Sequence, residues 1–265
     1  MKKIKRLILD IILIVFTVPL LILVVWSFTT SWPFPDFLPS SLSFRGLEYI
    51  FNIENLKVLT NSILISVVVV VITVIISIPA AKAIALYEFK GKKFFELLVL
   101  SPLIIPMISI AMGVHITFIR IGIANTILGV IIINLLPCIP YAVRIIGDVY
   151  KLVGDKLEIQ ARLLGASKFN TFKYITLPLI LPGIIGASSM CFIISFSQYF
   201  LTMLIGGGRV ITYPMIMFPY IQSGDRTISS LYSIAFLVVS IVVLILIEYR
   251  IKKYYSNSDS NSFLV

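Results

Sequence analysis

Charged residues are scarce in this chain of 265 residues, where only 13% are Asp, Glu, Lys or Arg. Soluble domains carry roughly 25% charged residues. Hydrophobic residues, by contrast, make up 59% of the sequence. A chain this apolar cannot cover its surface with polar groups, so the composition predicts that its solvent is lipid.

Cysteine and histidine are scarcer still. The only cysteines are Cys138 and Cys191, both within apolar runs, and the only histidine is His115. No Cys-x-x-Cys pair or Cys/His cluster exists, so neither a disulfide framework nor a metal site is predicted. A single histidine in an apolar run also gives no support for a nucleophilic triad.

The sequence is instead rich in long apolar runs. A bilayer core of about 30 Å needs roughly 20 apolar residues of helix. Helix is also the form in which so long a run satisfies its own backbone in hydrocarbon. The predicted spanning helices cover residues 8–29, 58–84, 95–118, 124–146, 176–198 and 228–249. The fold class is therefore predicted to be all-α transmembrane, a six-helix polytopic protein.

Basic residues predict on which side of the membrane each end lies. Of the 22 Lys and Arg residues, 17 fall at the two termini and in the loops near 82–93 and 144–173. Cytoplasmic loops carry the excess of Lys and Arg, so both termini are predicted to be cytoplasmic. Anchoring at an anionic inner leaflet also accounts for the net charge of +10 without nucleic acid.

One membrane domain, residues 1–255, accounts for nearly the whole chain. Residues 256–265 are rich in serine and asparagine, and we expect a disordered polar tail there. Residues 199–227 are too apolar for an ordinary outer loop, and the glycines at 206–208 and Pro214 interrupt any helix. We expect this segment to form a gate-like hairpin, re-entrant or interfacial, on the outer side.

A polar loop at residues 150–175 separates the fourth and fifth predicted spans. It is too long for a simple connector, so we expect it to be folded. Asp155 can cap one short helix, and Gly165 can supply the positive φ that ends it. Ser167 can cap a second helix, and Leu177-Pro178 then begins the return into the membrane. Such a loop predicts contact with a partner; the alternative is an amphipathic loop on the membrane surface.

The loop resembles the EAA loop of binding-protein-dependent ABC importer permeases. The matching positions are Ala161, Gly165, Ala166, Ser167, Phe172, Leu177, Pro178, Pro182 and Gly183. The family's glutamate position holds Ile159, with Glu158 one residue earlier, and the family's first alanine is Gln160. The later segment 199–226 resembles the polyamine, thiamine and iron group of these permeases.

The resemblance implies a permease subunit of a prokaryotic cell membrane that forms half of a solute pathway. Its partners would be two copies of an ATPase, a second and related permease chain, and an extracellular solute-binding protein. The loop would be a coupling helix seated in a groove of the ATPase. The residues expected at that contact are Glu158, Ala161, Arg162, Leu163, Leu164, Gly165, Ala166, Ser167 and Phe169.

A phosphate-binding loop is missing from the sequence. The segment Gly206-Gly-Gly-Arg209 has neither the spacing nor the lysine of the Gly-x-x-x-x-Gly-Lys-Ser/Thr pattern. We therefore expect no enzyme activity and no cofactor in this chain. ATP and Mg would be bound by the partner ATPase.

Polar residues at membrane depth are candidates for lining the pathway or its gate. They are His115, Asn134, Ser195, Ser197, Gln198 and Thr202. The alternative for His115 is a helix-end group facing lipid headgroups, and for Asn134 an interhelical hydrogen bond. Arg209, Asp225 and Arg226 are candidates for docking the solute-binding protein, and simple solvated charges are the alternative.

Two other functions stay open at this point. A transporter driven by an ion gradient would need acidic residues inside the membrane. The candidate acids lie at the ends of predicted spans: Asp10, Glu88, Glu96, Asp148 and Glu248. A membrane scaffold would recruit a cytosolic partner through the same loop without solute flux. The solute stays open as well, although the absence of acids from Phe196–Phe200 disfavours a cation.

Overall fold

The apolar runs of the sequence form helices throughout the computed structural model, which describes residues 2–30 and 41–262. Helix satisfies backbone N–H and C=O groups within one segment, as hydrocarbon requires. In the described residues the α-helices are α1 (Lys2–Ser27), α2 (Arg45–Ile50), α3 (Ile53–Leu86), α4 (Lys92–Ile104), α5 (Met107–Arg120), α6 (Ile127–Val153), α7 (Lys156–Leu163), α8 (Lys168–Thr171), α9 (Leu177–Phe196), α10 (Phe200–Gly206), α11 (Tyr213–Ser223) and α12 (Arg226–Ser262).

Five helical segments of the described residues are long and apolar enough to cross a bilayer. They lie in α1, α3, α6 and α12 and in the segment Lys168–Phe196 that includes α9, and they match five of the six predicted spans. The all-α, polytopic fold class is confirmed. The cytoplasmic placement of both termini stays a prediction, because helix length and composition do not give a direction.

The third predicted span, residues 95–118, is not one helix. Helices α4 and α5 meet there at an angle of 102°, so the sixth candidate span is a bent pair. The bend follows from Pro106, which has no N–H to donate into a continuing helix. The residue before it, Ile105, is extended with φ −83° and ψ 135°, as the proline ring favours.

One compact unit of the structure lies within Met1–Thr60 and Tyr213–Ser240. The Thr227 hydroxyl donates a hydrogen bond to the carbonyl of Thr29, which follows α1. Gly46 of α2 packs so closely on α12 that an added Cβ would lie 2.9 Å from a Leu231 methyl group. The Tyr213 hydroxyl donates to the Tyr232 carbonyl over 3.1 Å. Small residues and single hydrogen bonds therefore hold α2, α11 and the start of α12 together.

The other compact unit lies within Asn61–Thr212 and Ile241–Val265, and the pair α6 and α9 packs closely at its centre. Gly183 of α9 lies against α6, where an added Cβ would come within 3.0 Å of Val149 and 3.3 Å of the Ile146 Cα. Such close backbone approach is the usual basis of helix association in lipid, where apolar surface alone drives nothing together.

The two cysteines are part of this α6–α9 contact. The Cys138 Sγ lies 3.6 Å from the Cys191 carbonyl oxygen, and the Cys191 Sγ lies 3.5 Å from the Cys138 carbonyl oxygen. Both residues are fully buried and neither is in a disulfide. Their role as small packing residues agrees with their place in apolar runs.

The end of the chain differs from the sequence-based expectation. Helix α12 continues to Ser262, so residues 256–262 are helical where we expected a disordered tail. Extending an existing helix costs far less than starting one, because each added residue closes a further hydrogen bond. The last part of the expected tail, residues 263–265, lies outside the described residues.

Replacing Gly183 with leucine tests the α6–α9 contact. A leucine side chain has no room against Val149 and Ile146, so we expect a loss of about 1–3 kcal/mol in the free energy of unfolding. Thermal unfolding in detergent measures the change. The control is Gly113→Leu on α5, where an added Cβ would meet no heavy atom within 4 Å. Equal midpoints for the two variants would contradict the close contact.

Candidate functional site

The polar loop at 150–175 is folded into two short helices joined by a tight turn. Helix α7 ends at Leu163, and Gly165 then takes φ +89°. The Ala166 N–H donates to the Ala161 carbonyl and the Gly165 N–H to the Arg162 carbonyl, each over 3.0 Å. This pair of bonds is the Schellman motif, which needs a residue that tolerates positive φ. Gly165 therefore ends the helix as its sequence position predicts.

The two predicted helix caps differ in outcome. Ser167 caps α8, with its Oγ accepting from the Asn170 N–H over 3.2 Å. Asp155 stands at the start of α7 but forms no side-chain cap there. Its ψ near 0° departs from the extended conformation that lets a capping side chain reach the helix N–H groups.

Three large apolar side chains project from the turn. Leu163, Leu164 and Phe169 are 82%, 89% and 70% exposed. They lie in a loop that also carries polar residues such as Arg162. Most other exposed apolar residues lie on the long helices instead. Exposed apolar groups rimmed by polar residues mark surfaces that a partner covers. We call Leu163, Leu164 and Phe169 the apolar tip.

The opposite face of α7 carries Glu158 and Ala161, and both residues are buried. One carboxylate oxygen of Glu158 forms an ion pair with the Lys82 ammonium group near the end of α3. The other oxygen accepts a hydrogen bond of 2.7 Å from the Thr176 hydroxyl. Both oxygens of Glu158 thus contact residues of its own chain, and the residue is only 7% exposed.

Opposing effects act on the charge of Glu158. Burial raises the pKa of this carboxyl group, whereas the hydrogen bonds from Lys82 and Thr176 and the nearby positive charges lower it. The lowering effects prevail, so the pKa of Glu158 lies below its ordinary value. The carboxylate therefore stays ionised at neutral pH and keeps Lys82 paired.

Lys82 and Thr176 were not among the residues singled out from the sequence. Lys82 is the one charge within the apolar stretch Ile78–Leu86, and this isolation is the signal that could have pointed to a specific partner. Thr176 carries no comparable signal. It ends a π-helical turn, Phe172–Thr176, that precedes α9.

The six pathway candidates are divided between core and surface. Asn134, Ser195 and Thr202 are buried on α6, α9 and α10. The Asn134 Nδ2 donates to the Val130 carbonyl of its own helix over 3.0 Å. His115 on α5 and Gln198 after α9 are partly exposed, and Ser197 is exposed. The assignment of these residues to a pathway stays a prediction.

The docking candidates have contacts within their own chain. Asp225 forms an ion pair of 2.7 Å with Arg45, and its other oxygen accepts from the Ile228 N–H at the start of α12. The Arg226 guanidinium group lies 5.2 Å from the centre of the Trp26 ring. Arg209 is exposed in the turn after α10. Asp225 and Arg226 thus stabilise local structure whether or not a partner binds there.

A rigid contact supports the Arg209 turn. The Asn125 N–H donates to the Ile205 carbonyl over 2.8 Å, and Asn125 itself has φ +60°. A Cβ added to Gly207 would lie 1.8 Å from the Asn125 amide oxygen, so only glycine fits. Gly207 also needs its positive φ of 52°. The sequence showed the glycines but not their partner, Asn125.

A cavity of about 240 Å³ lies beside this turn. Asn61 and Arg209 are its polar lining residues, and the remainder of its wall is apolar. The lining contains no acidic side chain. A guanidinium group and a carboxamide at such a cavity can donate hydrogen bonds to an anion.

The long apolar helices define a multi-pass membrane protein. Residues 74–254 match the binding-protein-dependent transport system inner membrane component, and the chain belongs to this family. It is a translocation-pathway subunit of an ABC importer, located in the cell membrane. This membership decides against the gradient-driven transporter and the scaffold.

Known transport proteins are similar to most of the chain. The molybdate/tungstate transport system permease protein WtpB of Pyrococcus abyssi is 26% identical over 223 residues, which cover 82% of this chain and 87% of the relative. The trehalose transport system permease protein SugB of Mycobacterium tuberculosis is 26% identical over 218 residues, with 80% of each chain covered.

Solved structures share the fold. A chain of a bacterial ABC transporter involved in the import of the acidic polysaccharide alginate superposes with a TM-score of 0.70 at 17% identity, with 96% of each chain covered. A chain of a bacterial alginate ABC transporter in complex with an alginate pentasaccharide-bound periplasmic protein gives a TM-score of 0.68, with 94% of this chain and 95% of that chain covered, again at 17% identity.

The resemblance to the polyamine, thiamine and iron group is not supported, because these relatives carry the names of molybdate, tungstate and sugar transporters. The resemblance rested on residues 199–226. In the structure the glycines of this segment, such as Gly207, serve backbone turns and close packing. Such requirements of the backbone say nothing about the solute.

Lowering the pH should weaken the contacts that Glu158 forms on the inner face of α7. Since the pKa of Glu158 is held below its ordinary value of about 4.3, its contribution to stability is complete at neutral pH and is lost as the pH falls through the folded-state pKa. We expect amide protection of α7, measured by hydrogen exchange and corrected for intrinsic rates, to be constant down to about pH 5 and to fall below about pH 4. The variant Glu158→Gln should show no such loss of amide protection at low pH. A loss of protection near neutral pH would contradict the pairing of Glu158 with Lys82.

Proposed function

We propose that the loop at 150–175 couples this permease to a separate ATPase subunit. The observation that carries the proposal is the apolar tip, which projects from a turn held by the Schellman motif and by the buried Glu158. A rigid turn loses little conformational freedom on binding, and leucine and phenylalanine side chains gain by burial in a groove. Arg162 and Lys168 lie beside the tip, where rim charges can set the register of a partner.

The remaining partners follow from the family. ATP and Mg would be bound by two copies of the ATPase, and a second, related permease would complete the pathway. An extracellular solute-binding protein would deliver the solute; the alginate transporter in complex with a periplasmic protein supports this arrangement. ATP binding would draw the ATPase subunits together, and the loop would pass that movement to the membrane helices.

We further propose that the solute is an oxyanion of the molybdate or tungstate class. WtpB carries this solute in its name and matches 82% of the chain. The 240 Å³ cavity offers an anion the hydrogen-bond donors of Arg209 and Asn61 and has no acidic side chain in its otherwise apolar lining. Sugar is the second candidate, because SugB covers 80% of the chain.

Charging the apolar tip tests the ATPase contact. We expect Leu164→Asp to abolish co-purification of the ATPase from native membranes, because a carboxylate would have to be buried in an apolar groove. Partners are identified by mass spectrometry. The matched control is Leu42→Asp, an exposed leucine before α2, which should retain the ATPase. Retention of the ATPase by Leu164→Asp would overturn the assignment of the loop.

Uptake measurements test the solute class. We expect membrane vesicles that contain the whole importer to accumulate molybdate and tungstate, detected by elemental mass spectrometry, and not trehalose. Arg209→Gln should lower this uptake by about tenfold, since a bidentate charged hydrogen-bond donor is lost. Arg209→Lys should retain more uptake, because the positive charge remains. Uptake of trehalose without molybdate would exclude the oxyanion.

A further inference from the structure

We propose that Lys82, Glu158 and Thr176 form a clamp that transmits the movement of the coupling loop to the membrane helices α3 and α9. This inference rests on the proposed function of the loop as the ATPase contact. It concerns the opposite face of α7, where Glu158 and Ala161 are buried within the chain. The three residues position other elements and contact no solute or nucleotide.

The clamp joins three elements through one carboxylate. One Glu158 oxygen pairs with the Lys82 ammonium group, four residues before α3 ends at Leu86. The other accepts the Thr176 hydroxyl over 2.7 Å, immediately before α9 begins at Leu177. Because the two oxygens hold different helices, a displacement of α7 acts on both.

Burial makes the clamp difficult to open. The side chains of Lys82 and Glu158 are 21% and 9% exposed, and Thr176 is 3% exposed. Pulling a buried carboxylate from its partners leaves uncompensated charge, which is far more costly than breaking an exposed pair. The elements therefore move together, and movement at the apolar tip is not absorbed by sliding of α7 over its neighbours.

An irregular helical turn lies beside the clamp. The turn Phe172–Thr176 is π-helical, and the Leu177 N–H reaches back five residues to the Phe172 carbonyl. Pro178 follows, and its missing N–H leaves the Tyr174 carbonyl without the usual helical donor. Such turns interrupt α-helices at functional sites. Thr176 thus fastens Glu158 to the point at which α9 can bend.

The residues packed beneath α7 show what the clamp holds in place. They are Tyr150 of α6 and the following Gly154, Glu158 of α7, Thr176 immediately before α9, and Ile180 of α9. The inner face of α7 therefore sits over the ends of the closely packed α6 and α9. Helix α7 is thus held at Glu158 above the closely packed α6 and α9, and a force on the apolar tip turns the helix about that residue.

The test compares ATP hydrolysis with uptake in the complete importer. The variants Glu158→Gln, Lys82→Met and Thr176→Val each remove one part of the clamp and leave the apolar tip unchanged. In proteoliposomes we expect the ATPase to remain bound and to hydrolyse ATP. Uptake per ATP hydrolysed should fall by about tenfold, a change within the usual range of coupling between sites.

A charge exchange and a matched control separate coupling from stability. The double variant Lys82→Glu, Glu158→Lys restores an ion pair, and the Thr176 hydroxyl can accept from a lysine as it now donates to a carboxylate. We expect it to recover most of the coupling that either single change removes. The control is Glu88→Gln, which deletes an exposed ion pair of 2.7 Å with Lys92 and should leave uptake per ATP unchanged.

The outcomes distinguish the clamp from the proposed function. Unchanged uptake per ATP in Glu158→Gln overturns the clamp, as does loss of the ATPase from that variant, which would show that Glu158 only supports the fold of the loop. Failure of the charge exchange to recover coupling, in a double variant that retains the ATPase, overturns it as well. Absence of an ATPase from the wild-type complex would instead overturn the coupling role of the loop.

Discussion

Hydrocarbon offers no hydrogen-bond partner to a backbone N–H or C=O group, and the rest of this structure depends on that constraint. It makes the apolar runs helical, and it makes each interruption of a helix costly. The break at Pro106 and the π-helical turn at Phe172–Thr176 are therefore informative. The latter adjoins the loop that we assign to coupling, where a membrane helix has to respond to a partner.

Helices in lipid need contacts other than the hydrophobic effect to stay together. Here α6 and α9 use Gly183 and the facing Cys138 and Cys191 to approach closely. The coupling loop connects these same two helices, so a firm pair lies beneath it. A loop above a loose pair would lose any imposed movement to local rearrangement. The close packing is thus a physical requirement of the proposal that α7 transmits movement to the membrane helices.

The loop combines two faces of opposite character on eight residues of helix. Its outer end carries the exposed Leu163 and Leu164, whose free energy falls when a partner covers them. Its inner face carries Glu158, whose charge is compensated within the chain. In the mechanism that we propose, binding on one face and fixation on the other allow force to pass through a short helix. Neither face alone would provide coupling.

Local chemistry in the sequence determined much of this protein. Apolar run length predicted six spans, five of which are continuous helices, and Gly165 and Ser167 predicted the turn and the cap of the loop, because these depend on neighbouring residues only. Tertiary structure decided the rest. It turned Glu158 inward, although the family resemblance placed it with the ATPase-contact residues, and supplied Lys82 from 76 positions earlier in the chain. The pairing of distant side chains depends on how the helices pack, and no local pattern of residues encodes it.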